Sequence, residues 1–209
     1  MQVCRFVNSV FQSNTYVLTE EGCKDACLVD AGDVEPVERF LRSHGLRLVS
    51  IFLTHCHYDH IYGVKRLLAD FPACCVYTSV FGRTALADAR LNFSRYHGDP
   101  LCIAGGQVQV LEEGDTCLLF PGVQMEVFAT PGHDESCLTY RADGCVFSGD
   151  SYIPGQKVIA TFPHSSKAAA ESSRRRILAL ADGCGLYPGH GASYPVFSRT
   201  QGESCVYCP

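Results

Sequence analysis

Residues 54–60 read Thr-His-Cys-His-Tyr-Asp-His, and this stretch decides the interpretation of the whole chain. Three histidines and one aspartate fall within the six positions from His55 to His60. Imidazole and carboxylate groups together suit zinc, iron, nickel or manganese. Histidines packed this densely gain nothing structurally without an ion. The stretch therefore predicts a metal site, and it holds more than half the ligands that a two-metal centre needs.

The segments on either side place this stretch between a strand and a helix. Residues 48–53 form an apolar run typical of a buried strand, and residues 61–71 have the apolar spacing of an amphipathic helix. Side chains two apart on a strand point the same way, so the pattern directs His55 and His57 toward one ion. Asp59 and His60, which turn into the helix, would face a second ion.

Three more candidate ligands follow at long range, each on a turn after a predicted strand. The segments are Thr130-Pro131-Gly132-His133, Ser148-Gly149-Asp150 and Pro188-Gly189-His190-Gly191. Glycine and proline in such turns let the backbone approach an ion closely and fix the side chain at the strand end. Five of the eight histidines lie in these segments and in residues 54–60 together, which a chance scatter would not produce.

This ordered set resembles the signature of the metallo-beta-lactamase superfamily, which runs Asp, His-x-His-x-Asp-His, His, Asp, His. Asp30, in Leu28-Val29-Asp30-Ala31-Gly32, supplies its first member, and the resemblance covers about residues 26–191. It implies that Asp30 supports the metal loop without binding metal. Read from the residues alone, Asp30 could equally cap a helix. The resemblance assigns His55, His57 and His133 to one metal, Asp59, His60 and His190 to the other, and Asp150 to the bridge.

The element pattern predicts an α/β (α+β) fold. Strand-like segments alternate with helices early in the chain and dominate its middle, which is typical of mixed sheets with helices outside. Helices are predicted at residues 34–44, 61–71, 79–87 and 166–182. The resemblance implies the specific form, a four-layer αββα sandwich with the metals in a cleft at one sheet edge. We expect residues 1–209 to form a single domain of this type.

Composition limits the partners and the cellular location that we expect for the protein. The 209 residues are 46% hydrophobic without a run of eighteen apolar residues, so no membrane span is expected. A net charge of −5 and one short basic cluster, Arg174 to Arg176, argue against nucleic acid as a partner. No secretion signal is evident, and the thirteen cysteines then indicate reduced thiols and a cytoplasmic location. Cys205 and Cys208 have C-x-x-C spacing, which we interpret as an inert tail rather than a zinc or redox site.

Two stretches are expected to shape the pocket, residues 89–106 and residues 152–165. Long loops beside a rigid metal site commonly carry specificity. Tyr152, Lys157 and Tyr194 are the candidate substrate contacts. Cys56 lies between two ligands but points the other way on the predicted strand, so we expect it to be buried as a small hydrophobe.

The chemistry follows from two divalent ions about 3.5–4 Å apart, which can share a bridging hydroxide at neutral pH. We therefore predict a hydrolase acting on a small molecule with an activated acyl bond, a thioester or a lactone. Asp150 would hold the bridge, and Asp59 would carry the proton to the leaving group. Two Zn²⁺ ions are expected, with Fe²⁺, Mn²⁺ or a mixed iron and zinc pair as alternatives.

Within the superfamily, the set is similar to glyoxalase II, the hydroxyacylglutathione hydrolase, and to its short bacterial relatives. Classical zinc beta-lactamases usually carry cysteine where Asp150 stands. Glyoxalase II adds a helical carboxy-terminal domain, whereas this chain ends at residue 209, so the thiol of the substrate is left open. A persulfide dioxygenase with one iron on His55, His133 and Asp150 is the main alternative. A metal-binding protein without catalysis is a further one.

Overall fold

The computed structural model describes residues 1–98 and 100–194. Cys205 and Cys208 lie outside the described residues, so the interpretation of that pair stays a prediction. None of the helices in the described ranges is long and apolar enough to cross a membrane.

In the described part of the chain, eleven strands form two sheets. The first sheet has six strands in the order β1 to β6, antiparallel from β1 to β3 and parallel from β3 to β6. The second has five in the order β11-β10-β9-β8-β7, with a parallel pair only between β10 and β11. The strands are β1 (Gln2–Val7), β2 (Asn14–Thr19), β3 (Asp25–Val29), β4 (Arg47–Phe52), β5 (Cys75–Thr78), β6 (Val108–Val110), β7 (Thr116–Phe120), β8 (Val123–Ala129), β9 (Leu138–Ala142), β10 (Cys145–Gly149) and β11 (Gly185–Pro188).

The residues that the structure describes also form five α-helices, α1 (Val34–His44), α2 (Tyr58–Ile61), α3 (Val64–Asp70), α4 (Val80–Leu86) and α5 (Lys167–Leu180). The helix predicted over residues 61–71 is in fact split into α2 and α3. Gly63 lies between them and packs closely on the loop after β3, where a Cβ would lie 2.2 Å from the Gly32 carbonyl oxygen. The amide of Gly63 donates to the Ala31 carbonyl at 2.9 Å, which fastens the helices to the end of β3.

Side chains that alternate along a strand face different layers of the fold. In β2, Val17 faces a core shared with α1, α3 and α4, whereas Tyr16 and Leu18 face the second sheet. A third core, built on Val146 and Ile177, joins α5 to the outer face of the second sheet. Three cores between four layers give helices, sheet, sheet and helix in sequence. The predicted αββα sandwich is confirmed.

The two sheets meet at the edge where the motif residues lie. The loop after β4 accepts a hydrogen bond at the Thr54 carbonyl from the Leu138 amide of β9, at 2.7 Å. On the other side, the Asn14 amide of β2 donates to the Gly189 carbonyl after β11, also at 2.7 Å. Loops that follow β3, β4, β10 and β11 are thereby brought to one cleft.

Candidate metal centre

The loop from Leu53 to His57 is irregular backbone. Strand β4 ends at Phe52, and His57 stands at the N-terminal cap of α2 with φ −72° and ψ 149°. The prediction that His55 and His57 share a direction through strand alternation is therefore wrong in its reason. Both side chains still face the same cluster, because hydrogen bonds from Thr54 to the Asp30 carboxylate hold the loop in place.

Asp30 fixes this loop through both carboxylate oxygens. The Thr54 amide donates to Oδ1 at 2.7 Å and the Thr54 hydroxyl to Oδ2 at 2.8 Å. His60 donates from Nδ1 to Oδ2 at 2.9 Å. Helix α1 is capped at Asp33, so Asp30 does not serve as its cap. The residue has φ +58°, a left-handed conformation that aspartate tolerates better than most side chains.

One group of donors is formed by His55, His57 and His133, all buried, with their ligand atoms within 4.8 Å of one another. The Nε2 atom of His133 lies 2.9 Å from Nδ1 of His57. His133 donates from Nδ1 to the Ile159 carbonyl at 2.8 Å. That bond places its proton on Nδ1 and leaves the Nε2 lone pair directed at the group.

A second group consists of Asp59, His60 and His190. The Nε2 atoms of His60 and His190 are 3.2 Å apart, and Asp59 Oδ2 lies 3.2 Å from Nε2 of His190. Both rings use Nδ1 as a donor elsewhere, His60 to Asp30 and His190 to the Phe11 carbonyl at 3.1 Å. Two lone pairs this close need a positive charge between them, either a proton or a metal ion.

Asp150 lies between the two groups. Its Oδ2 is 3.6 Å from Nε2 of His133 and 3.4 Å from Nε2 of His190, and its Oδ1 is 3.6 Å from Nε2 of His60. Gly189 makes room for it, since a Cβ there would lie 2.1 Å from Oδ1. Among the described residues, Asp150 Oδ1 and His55 Nε2 are buried without a hydrogen-bond partner. Buried polar atoms are costly unless satisfied, so this donor set fits bound cations.

Two histidines of the first group, His55 and His133, are held neutral. Burial lowers the pKa of His55 well below its ordinary value, and the neighbouring histidines lower it further. Burial also lowers the pKa of His133, although Asp150 opposes the shift. Neutral imidazoles are the form that binds metal.

The second group carries charge in the absence of metal. Burial alone would lower the pKa of His190, but Asp150 and Asp59 raise it to about 9. The pKa of His60 is also raised against burial, by Asp59 and Asp30. Burial would raise the pKa of Asp59 and Asp150, yet the adjacent imidazolium groups lower both. A divalent cation can bind the ionised carboxylates and displace the protons from the two histidines.

Asp134 is a participant that the sequence reasoning missed. It is buried, and its Oδ2 lies 3.6 Å from Nε2 of His57, the ring atom that points away from the other ligands. The Ser136 amide donates to its Oδ1 at 2.8 Å. The only sequence signal was an acidic residue directly after His133. We interpret Asp134 as the group that orients the His57 ring.

Replacing Asp134 by alanine is expected to weaken metal binding at the three-histidine group about 10- to 100-fold, because His57 loses its orienting partner. Competition with a chromophoric chelator measures this affinity. Glu135→Ala is the matched control, since Glu135 is exposed and faces His164 at 3.9 Å instead of the cluster. Equal affinities in both variants would contradict the assigned role.

The three candidate substrate contacts are placed differently. Lys157 lines a cavity of about 350 Å³ together with Asp150 and His190. Tyr152 packs against the Val146 and Ile177 core. Tyr194 pairs with Leu186 through the backbone and is half exposed. In the described part of the chain, neither tyrosine lines the two cavities beside the cluster, so the structure brings only Lys157 to it.

Cys56 is buried among the core residues between the first sheet and its helices. Its Sγ lies 3.4 Å from the Thr78 hydroxyl and 3.4 Å from the Gly82 carbonyl oxygen. Burial raises the pKa of this thiol to about 12, which removes its reactivity at neutral pH. The side chain packs as a small hydrophobe.

Comparison with known proteins agrees with this geometry. A family model described as Metallo-beta-lactamase superfamily matches residues 8–190. The chain belongs to the metallo-beta-lactamase superfamily. The matched segment contains all seven of the candidate ligands and Asp30, so the cleft described above is the part of the fold that this superfamily model covers.

Three superfamily members illustrate the likeness. A hydroxyacylglutathione hydrolase of Gloeobacter violaceus is 32% identical over 151 residues, which are 71% of this chain and 52% of that protein. The chain thus spans about half the length of this relative. The crystal structure of the BLEG-1 B3 metallo-beta-lactamase has a TM-score of 0.82 at 28% identity and is matched over 91% of this chain and 92% of that one. ETHE1 from Myxococcus xanthus has a TM-score of 0.72 at 25% identity, over 92% and 76% of the two chains.

Proposed function

We propose that this protein is a hydrolase that cleaves a small-molecule thioester with the help of two bound divalent ions, zinc in the first instance. The observation that carries the proposal is the buried, partly unsatisfied set of seven donors in one cleft. The similarity to a hydroxyacylglutathione hydrolase supports the acyl-thiol substrate class. In this proposal His55, His57 and His133 hold one ion, Asp59, His60 and His190 hold the other, and Asp150 contacts both.

Bound divalent ions would supply a nucleophile from water at neutral pH and would polarise the substrate carbonyl. The chain itself contributes orientation and proton control. Asp30, Asp134 and the Ile159 carbonyl set the directions of the three imidazoles that they contact. The rings of Phe93 and Phe162 lie 4.8 and 5.1 Å from the His57 ring and give that side of the cluster an apolar wall.

The reaction balances without a further reactant. The acyl carbon to sulfur bond breaks, and a bond forms between that carbon and the oxygen of one water molecule. The sulfur leaves as a thiol with one proton from the water, and the acyl group leaves as a carboxylate after releasing the other. We assign to Asp59 the transfer of the proton to the leaving group, because its carboxylate lines a cavity beside the cluster.

The likeness to ETHE1 favours a second candidate, an iron-dependent persulfide dioxygenase that uses His55, His133 and Asp150. A lactone is an alternative substrate for the hydrolase. The test compares protein loaded with zinc and protein loaded with iron. Thiol release from a panel of acyl-thiols by the zinc form supports the proposal. Oxygen uptake by the iron form with a persulfide, without hydrolysis by either form, would replace it with the dioxygenase.

Lys157 is proposed to bind an anionic part of the substrate. It lines the cavity beside Asp150 and His190, and within the described residues it makes no ion pair. We call this cavity, lined by Lys157, Gln156 and Gln12, the lysine lobe. Lys157→Ala should raise the KM for a thioester with a carboxylate on its thiol part about tenfold, since a hydrogen bond to a charged group is lost. Steady-state kinetics measures it, with Lys65→Ala on α3 as the control.

An unchanged KM in Lys157→Ala would remove Lys157 from the substrate site and leave the hydrolase proposal intact.

The cytoplasm is the proposed location of the protein, and its unpaired thiols support this proposal. Cys23, Cys27, Cys74, Cys117 and Cys137 are free cysteines, and unpaired thiols in this number suit a reducing compartment.

A further inference from the structure

The second cavity beside the cluster differs in character from the lysine lobe. It has a volume of about 520 Å³, within the range of small-molecule sites, and it opens onto His57, Asp59, His133, Asp150 and His190. Its other walls are mainly ring side chains. We call it the aromatic lobe, after Phe11, Tyr58, Phe93, Tyr96, His97 and Phe162.

Ring packing gives the aromatic lobe a fixed shape. Phe93 and Phe162 have ring centroids 5.3 Å apart, and Phe162 also lies 5.6 Å from the His133 ring. Tyr58, which also lines the lobe, stacks on His97 with centroids 4.1 Å apart and planes 13° apart. These rings come from α2, from the loop before β6 and from the loop after β10. A cavity built by three separate segments exists before a ligand arrives.

The position of Phe93 is anchored from beneath. Its φ of +63° is a left-handed conformation that a phenylalanine rarely adopts. Buried Asn92 holds the loop by donating to the Ala85 carbonyl at 3.0 Å and the Leu101 carbonyl at 2.9 Å, and it accepts from the Ser94 amide at 3.0 Å. The surrounding structure therefore keeps the Phe93 ring on the wall of the aromatic lobe.

The distribution of charge separates the two lobes. Among the described residues, no lysine or arginine lines the aromatic lobe, and its carboxylates, Asp59 and Asp150, belong to the cluster itself. A charged substrate group has no partner there, whereas Lys157 offers one in the lysine lobe. Phe11 and Tyr96 are 67% and 71% exposed at the rim, so a bound apolar group would cover ring surface that now faces water.

We propose that the aromatic lobe binds the acyl group of the substrate and that this group is apolar and carries an aromatic ring. The inference rests on the proposed thioesterase function and adds the substrate class to it. The ring would lie between Phe162 and the stacked pair of Tyr58 and His97, where offset and edge contacts between rings are favourable. The polar thiol part would extend into the lysine lobe past Asp150.

The kinetic experiment compares the phenylacetyl and acetyl thioesters of one neutral thiol, N-acetylcysteamine, with zinc-loaded protein. We expect the kcat/KM for the phenylacetyl substrate to exceed that for the acetyl substrate at least about tenfold. Phe162→Ala and the rim variant Tyr96→Ala should each lower this ratio, Phe162→Ala by about tenfold. Phe128→Ala, a half-buried phenylalanine packed against Arg141 on the second sheet, should leave the ratio unchanged.

A binding experiment separates this inference from the proposed function. The affinities of phenylacetate and acetate for the zinc-loaded protein are compared by titration calorimetry, after metal analysis of each variant. Tighter binding of phenylacetate that Tyr96→Ala and Phe162→Ala weaken supports the aromatic lobe even if no thioester is cleaved. Hydrolysis without acyl preference, together with equal binding of the two acids, overturns the inference and leaves the thioesterase standing. S-benzyl thioacetate carries its aromatic ring on the thiol part. If this substrate is preferred in the same way as the phenylacetyl thioester, the inference is also overturned.

Discussion

Alanine in place of Asp150 is expected to lower the turnover of a thioester at least about a thousandfold, because the lost contact to both ions removes several kcal/mol of transition-state stabilisation. The carboxylate is the only group within 3.6 Å of His60, His133 and His190 together in the described part of the chain. Its removal also leaves His60 and His190 facing each other without one of their compensating charges. Metal content should fall from about two ions per chain, and mass spectrometry of metals together with thiol-release kinetics measures both effects.

Asp70→Ala is the matched control, since Asp70 is exposed on α3 and pairs with Arg66. Asp150→Asn keeps the shape of the side chain and loses its charge. This variant should therefore fold as the unchanged protein does and still lose metal. Two ions per chain and a near-normal rate in Asp150→Ala would show that the residue is a bystander between two independent groups.

The sequence was sufficient to select the candidate ligands that the structure brings together, because its signals are local and chemical. Histidines and aspartates after strand ends, spaced by glycine and proline, identify themselves before any topology is known. His190 illustrates this, since Pro188 and Gly189 end β11 and Gly189 leaves the space that Asp150 occupies. The mixed α/β class followed from the alternation of strand-like and helical segments, whereas the four-layer form was implied only by the family resemblance. Tyr16, Val17 and Leu18 illustrate the strand signal, since their unbroken apolar run suits a strand buried on both faces.

Features that depend on distant segments were not predictable in the same way. Asp134 matters through its distance to His57, and no spacing rule connects the two positions. Phe93 lies in residues 89–106, which were expected to shape the pocket, but the position of its ring on the cavity wall depends on the contacts of Asn92 and had no local signature. Tyr152 was selected for following Asp150, but the chain turns after β10 and buries that ring against α5.

Metal stoichiometry is expected to depend on pH, with about one tightly held ion per chain near pH 6 and two near pH 9. The pKa of His55 and His133 is lowered, so these rings carry no proton that an ion must displace above about pH 6.5. The pKa of His190 is raised to about 9 and that of His60 is raised as well. An ion entering the second group must release these protons, so its affinity rises with pH until they are lost, by up to about a hundredfold per pH unit for two protons.

The measurement is a zinc titration of metal-free protein at several pH values, with proton release recorded in two buffers of different ionisation enthalpy. His190→Ala should abolish the second, pH-dependent ion and keep the first, because His190 contacts Asp59 and Asp150 but not the three-histidine group. His44→Ala, which changes an exposed ring at the end of α1, should alter neither. If both ions bind together at every pH with the same proton release, the two groups form one cooperative site, and the charge difference between them does not govern loading.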